Sequence, residues 1–385
     1  MNKIIQRPLL AVIALVIVVA TIIYLEFDDN QIIQQTSGNL DVPSTESPQE
    51  GNNQAPLKEK SEKNKMVFLV NKAPEFTGIS NWLNSEPLTM ESLRGKVVLI
   101  DFWTYSCINC IRTLPHIVEW DSKYRDKGLV IIGVHTPEFE FEKVPENVQA
   151  AMDTHGIKYP VAQDNNYATW NAWKNRYWPH KFLVDKDGKI RYDHIGEGGY
   201  EETEKKIQEL LAELGEDVDV AISEIPDMTP KSQNTPELYA GYDFALPRGQ
   251  NVGNGGLIPG KIIEYKKSED MDADIVYLEG KWKSNPDNLE AMDEYESKIL
   301  LDFTAGSVNI VADALEDAVM MEVLIDDKPI TEKQAGNDVT FKDGKGIVVI
   351  DAPRLYNVYK GSYGGHLLTL QGIQTGFTFH AFTFG

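Results

Sequence analysis

The sequence predicts an α/β domain followed by an all-β sandwich of jelly-roll type, both behind an N-terminal transmembrane helix. Three observations predict this. Leu9 to Leu25 is an uncharged, apolar run of 17 residues. Continuous apolar strands alternate with helical patterns between about 67 and 215. Beyond 236, short strand-like runs recur with Gly, Asp and Asn between them. The implied organisation is 1–28 N-terminus and membrane anchor, 29–66 flexible linker, 67–215 α/β domain, 216–235 second linker and 236–385 sandwich.

Each segment has its own warrant. Seventeen residues at 1.5 Å each approach the short limit for a spanning helix. Lys3 and Arg7 precede the run, and Glu26, Asp28 and Asp29 follow it. The positive flank stays in the cytoplasm, so the rest of the chain is expected outside it. The run ends in Ile22-Ile23-Tyr24-Leu25 without a small-residue cleavage site, which favours an uncleaved anchor over a signal peptide. Asp28 to about Lys65 is polar and aperiodic, and reads as a tether.

In the α/β segment, Val97 to Trp103, interrupted only by Asp101, and Leu129 to Val134 are continuous apolar runs, as strands buried on both faces are. Helical patterns run from Cys107 to Lys127, near 145–155 and near 165–175. Lys181 to Asp185 and Ile190 to His194 flank Lys186-Asp187-Gly188-Lys189, a hairpin signal. Tyr200 to Leu214 reads as a closing amphipathic helix that ends at Gly215. In the last segment, Val276–Trp282, Tyr295–Phe303, Val308–Ala312, Val319–Ile325, Gly346–Asp351, Leu355–Tyr359, His366–Gln371 and Phe377–Phe384 read as strands. The last alternates Phe with Thr, His and Ala, as a half-buried strand does.

Composition excludes several functions. The 385 residues carry 59 acidic against 37 basic side chains, a formal charge of −22. No basic face is available for nucleic acid. A 42% hydrophobic fraction excludes wholesale disorder. Two cysteines exclude a disulfide framework and a structural four-cysteine zinc site.

Those two cysteines carry the chemistry. Cys107-Ile108-Asn109-Cys110 lies where a buried strand gives way to a helix. The helix N-terminus then faces the first sulfur and favours thiolate over thiol. Cys110, one turn on, sits on the same face and can close a disulfide. Half a metal site and two passive thiols are the plainer readings, and the placement disfavours both. No cofactor or metal is expected beyond the redox-active pair.

The surrounding residues carry a family resemblance. Asp101-Phe102-Trp103, then Cys107 and Cys110, Pro115, and Trp178-Pro179 before a strand resemble the active site of the thioredoxin superfamily. Trp103 to Arg112, Gly133 to Phe139, Asp164 to Trp170 and Arg176 to Pro179 are similar to the extracytoplasmic part of DipZ-type, TlpA-like thiol:disulfide proteins. The resemblance implies a nucleophilic Cys107, a resolving Cys110, a buried Asp101 that exchanges a proton with Cys110, and Pro179 as a cis-proline beside the sulfurs. It implies a carbohydrate-binding-module-like sandwich at the C-terminus. DipZ proteins carry a multi-helix electron-conducting membrane domain, so one apolar segment here implies a separate CcdA-type donor. Client proteins supply the partner thiols and disulfides.

Other residues are weighed against plainer roles. Trp103 and Tyr105 are expected to rim the sulfurs, with core as the alternative. Trp178 is expected to shape the substrate groove. Glu138, Glu140 and Glu142 read first as a solvated face, and only second as a source of a carboxylate near the site. His116 and His135 read as structural. Trp282, Tyr356, Tyr359 and Tyr363 are the candidate aromatics for sugar stacking, with core as the commoner fate and a protein ligand at least as favoured.

With Ile108 and Asn109 between the cysteines, nothing further stabilises the thiolate, so the pair reads as a reductant. Thr104-Tyr105-Ser106-Cys107 matches half of a peroxiredoxin site, but Asp101 stands where that site wants proline. A thiol peroxidase is the alternative enzyme. A binding module with an idle cysteine pair is the alternative outside catalysis.

Overall fold

The computed structural model describes residues 72–385. The apolar segment Leu9–Leu25 and the tether at 29–66 lie outside the described residues. Among the described residues, no helix is long and apolar enough to cross a membrane.

The first part is a six-stranded sheet, β1 (Asn81–Leu83), β2 (Val97–Trp103), β3 (Leu129–His135), β4 (Val161–Gln163), β5 (His180–Val184) and β6 (Ile190–Ile195). Their order is β1-β4-β3-β2-β5-β6. Strands β2, β3 and β4 run parallel, while β1, β5 and β6 join antiparallel. Helices α1 (Ile108–Tyr124), α2 (Pro145–His155), α3 (Ala168–Ala172) and α4 (Tyr200–Ala212) cover the sheet. Strand β2 is buried along its whole length, which accounts for its unbroken apolar run. Val97, Leu99 and Trp103 join a core with Leu114, Ile117 and Trp120 of α1 and Ile207 and Leu211 of α4. Val98, Ile100 and Phe102 join the opposite core with Trp170 and Trp173. Asp101 falls, by alternation, on the α1 side.

The turn between β5 and β6 is built by Asp185. Its carboxylate accepts the Asp187 and Lys189 N–H groups at 3.0 and 2.9 Å. Gly188 takes φ +71°, a conformation that favours glycine.

The second part is β-rich. It contains β7 (Leu238–Tyr239), a short helix α5 (Tyr242–Ala245), β8 (Ile262–Tyr265), β9 (Val276–Ser284), β10 (Leu289–Ala291), β11 (Ser297–Ala314) and β12 (Val319–Ile325). There follow β13 (Lys328–Pro329), β14 (Val339–Lys342), β15 (Lys345–Ile350), β16 (Arg354–Ile373) and β17 (Phe377–Phe384). Strands β7, β8, β10, β13 and β14 are not among the expected runs, and two expected pairs of strands are joined. Tyr295–Phe303 and Val308–Ala312, read as two strands, belong to one 18-residue strand, β11. Leu355–Tyr359 and His366–Gln371 likewise belong to the 20-residue β16. Register shifts in their pairing, between Ala305 and Ser307 and between Val308 and Asn309, mark where the long ladder is irregular. The first part of β11 pairs with β9 and the last part with β17, so one strand serves two neighbours on the same edge.

Strand β17 is buried at every position, not at alternate ones. Phe377, Phe379 and Phe382 enter the core of the β-rich part. On its other side, the His380 ring meets Phe139 and Phe141 of the first part at 5.1 and 4.8 Å between centroids. Phe139 also packs with Val311 and Ala381 in a small shared core.

Candidate active site

The site forms at the start of α1. Strand β2 ends at Trp103, and Thr104-Tyr105-Ser106 carries the chain to Cys107, the N-cap. Its backbone is extended, at φ −80° and ψ 115°, and no side chain caps the helix. No acidic residue stands in the first turn. The free N–H groups of that turn are left for a ligand or an anionic sulfur. Cys107 retains 9% of its surface and Cys110 1%, and both are unbridged thiols. Both residues are enclosed, Cys110 almost completely and Cys107 less so. The Cys110 thiol is pushed well above its ordinary value, by burial first and then by its hydrogen bond with Cys107.

Near Cys110 lie two buried ionisable side chains, of which the sequence alone pointed to one. Asp101 on β2 and Lys181 on β5 face each other in the antiparallel register, and both are fully enclosed. Lys181 Nζ donates to the Gly196 carbonyl at 2.9 Å, while Asp101 Oδ1 has no hydrogen-bond partner. Burial pushes the Asp101 carboxyl up to about 6, and Lys181 opposes that rise. Burial pushes Lys181 below its usual range, against the pull of Asp101 and Cys110. A carboxyl poised near 6 can take and return a proton near neutral pH. Lys181 was legible only as a strand residue, because its partner is 80 positions away.

The remaining candidates separate. The Trp178–Pro179 peptide is cis, and Pro179 is buried. Trp178 is partly buried; its Nε1 donates to the Thr136 carbonyl at 3.1 Å and its ring packs on Trp170 at 4.3 Å. Trp103 is not on a rim. It is completely enclosed in the α1-side core, over Gly133, where a Cβ would come within 2.8 Å of its Nε1. Tyr105 is buried too, stacked on His135 at 5.7 Å, and its hydroxyl donates to the Pro353 carbonyl of the β-rich part at 3.1 Å. The rim position is thus covered by the second part. His135 is neutral, because burial pulls it down to about 3. His116 stacks on Tyr200 at 3.5 Å between centroids.

Two polar features are not legible in the sequence. Arg112, on the first turns of α1, forks onto Glu197 at 2.7 and 2.9 Å and reaches Asn109 Oδ1 at 2.7 Å. Glu142, read as part of a solvated face, is wholly enclosed and bonded to Ser106. Of the sugar-stacking candidates, Trp282, Tyr356 and Tyr359 are core residues. Only Tyr363 is exposed, and its hydroxyl donates to the Gln233 carbonyl at 2.5 Å. Three of the four therefore offer no platform to a ligand.

A cleft of about 600 Å³ opens beside the cysteines. Tyr105, Ile108 and Ile111 line it from the α/β part, and Asn309, Arg354 and Asn357 from the β-rich part.

Comparison with known proteins agrees with this geometry. Residues 69–211 match the Redoxin family, and residues 235–385 match the family described as thioredoxin like C-terminal domain. Protein DipZ of Mycobacterium tuberculosis is 40% identical over 274 residues, covering 70% of this chain and 38% of that protein. The chain thus spans well under half the length of DipZ. Thiol-disulfide oxidoreductase YkuV of Bacillus subtilis is 36% identical over 141 residues, covering 36% of this chain and 94% of that protein. Thiol-disulfide oxidoreductase ResA of Bacillus thuringiensis is 30% identical, covering 36% of this chain and 76% of ResA. With a cysteine pair at a helix start over a buried aspartate, and this similarity on both sides of it, the chain belongs to the thioredoxin superfamily, in its DipZ/TlpA-like group.

Proposed function

We propose that this chain is a membrane-tethered, outward-facing reductant of protein disulfides, working through Cys107 and Cys110. The observation that carries this reading is the arrangement of one cysteine at an uncapped helix start and a second, more deeply enclosed one near Asp101. Cys107, as thiolate, attacks one sulfur of a client disulfide. A mixed disulfide forms and the client's other sulfur leaves as thiolate. Asp101 takes the proton of Cys110, whose sulfur then attacks Cys107. The bond between Cys107 and the client breaks, and the Cys107–Cys110 disulfide forms. The client gains two electrons, and its thiolates take up two protons. A membrane donor of the CcdA type returns two electrons to the pair.

Pro179 lies at the start of β5 and leaves a backbone edge for an extended client segment, with Trp178 beside it. Leu9–Leu25 supplies the anchor, with the globular parts outside the cytoplasm. Client proteins, rather than sugars, are the favoured partners of the β-rich part, because its candidate stacking aromatics are core.

Insulin reduction by the full-length protein, with Cys107→Ser beside it, tests the reading. Turbidity that develops with wild type and not with the variant supports it. Peroxide consumption without disulfide reduction would replace it with a peroxidase. A titrated potential on the oxidising side of the glutaredoxins would reverse the direction of electron flow.

A further inference from the structure

The turn after β3 carries three glutamates, and the fold treats each differently. Glu140 is exposed and pairs with Lys143 at 2.5 Å. Glu138 is half-buried and accepts the Tyr239 hydroxyl at 2.7 Å. Glu142 is completely enclosed. Its Oε1 accepts the Ser106 hydroxyl at 2.6 Å and the Ser106 backbone N–H at 3.3 Å. Its Oε2 accepts the Glu138 and Phe139 backbone N–H groups at 2.6 and 3.0 Å. Four converging donors are what an enclosed carboxylate requires, since an unmatched one is costly to bury.

The two pairs of donors belong to different segments of the α/β part. Ser106 immediately precedes the nucleophile. Glu138 and Phe139 belong to the turn whose rings meet His380 of β17. The next backbone tie in the cysteine segment, Cys107 N–H to the Thr104 carbonyl, is long at 3.4 Å. We propose that Glu142 is a positioning residue for thiol exchange: it holds the Ser106 N–H and hydroxyl, and so fixes where the Cys107 sulfur sits over the first turn of α1. This rests on the thiol-exchange reading and adds a residue to it.

The chemistry of glutamine makes a sharp test. In Glu142→Gln, the new side-chain carbonyl oxygen can keep the Glu138 and Phe139 N–H groups. The new NH₂ can donate to the Ser106 hydroxyl, which reverses that hydroxyl's role. The Ser106 N–H is then left without an acceptor, next to Cys107. In the full-length reduced protein, Glu142→Gln is expected to slow iodoacetamide alkylation of Cys107 about tenfold and to lower kcat for insulin reduction in step, with KM unchanged. Ser106→Ala should give a smaller loss in both rates. Asn147→Ala removes a different bond of the same turn, Asn147 Nδ2 to the Phe141 carbonyl at 2.9 Å, and should lower Tm without slowing alkylation. Wild-type alkylation in a folded Glu142→Gln protein would overturn the proposal. So would an Asn147→Ala loss as large as that of Glu142→Gln, which would mean general loosening. Should the glutamine variant fail to fold, Ser106→Ala decides: a reduced alkylation rate supports the positioning role and an unchanged one overturns it. Alkylation needs no redox partner. A wild type that alkylates yet reduces no disulfide would therefore sink the exchange reading separately.

Discussion

Strands β2 and β17 are both buried at every residue, and they became so in different ways. Strand β2 is covered on both faces by helices of its own domain, and its sequence, Val97 to Trp103, is apolar except for Asp101. Strand β17 alternates Phe with Thr and His, the signature of one wet face, yet that second face lies under Phe139 and Phe141. Alternation thus reports how a strand meets its own domain and is silent about what docks on it afterwards. A polar residue in an enclosed place then carries different meanings. In β2, under the proposed mechanism, Asp101 is a reagent. In β17, His380 is a contact, held neutral because burial pulls it down to about 4.

The contrast can be broken at several points. The largest effect belongs to the reagent side: Cys107→Ser should abolish disulfide reduction, a loss of at least about a thousandfold in an insulin assay. Asp101→Asn should cost about a hundredfold in the resolving step, read as accumulation of mixed disulfide in a quenched reaction. The sign with pH follows from the raised carboxyl. In wild type, resolution should rise as pH increases through about 6, where Asp101 loses its proton and becomes a base, and level off above it. The asparagine variant should lack that limb, and a rise that persists in it would remove Asp101 from the mechanism.

The contact side gives stability effects. Phe139→Ala empties an enclosed site between the two parts and should cost about 3 kcal/mol in urea unfolding, while Cys107 still alkylates. Glu138 gives a smaller, pH-dependent signal. Burial first, and then Glu237, push its carboxyl from 4.5 up to about 8. The folded protein keeps a proton there that the unfolded chain has released. The associated stability is complete below about 4.5 and is lost as pH rises to about 8. Glu138→Gln should therefore match wild type near pH 4.5 and melt about 2–4 °C higher above pH 8. Equal melting curves at both pH values would show that the contact does not feel this proton. Tyr105→Phe removes the bond to the Pro353 carbonyl, and should cost about 1 kcal/mol by the same urea measurement.

Much of the α/β part was legible because its signals are local. The apolar runs at Val97 and Leu129, the Asp187-Gly188 turn and the cysteines at a strand-to-helix junction all act within a few residues. What was not legible depends on distant partners. Lys181 comes to face Asp101 only when β5 aligns with β2. Glu142 becomes a buried clamp only when its turn folds back on Ser106. Trp103 moved from the rim to the core because Gly133, on the neighbouring strand, leaves room for its indole. The split reading of β11 and β16 arose where Gly306, and then Gly361, Gly364 and Gly365, interrupt the side-chain pattern without ending the hydrogen-bond ladder.

The bond from Tyr105 to Pro353 also bears on how this protein can be cut apart. Residues 216–235 look like a convenient place to sever the chain. A fragment ending there would uncover Tyr105, Phe139 and Phe141 together, on the same side of the domain as the nucleophile. Such a piece would carry a sticky apolar face beside its reactive thiol and invite self-association. Its kinetics would then describe a clumping fragment rather than the enzyme, so truncation is a poor route to studying this site.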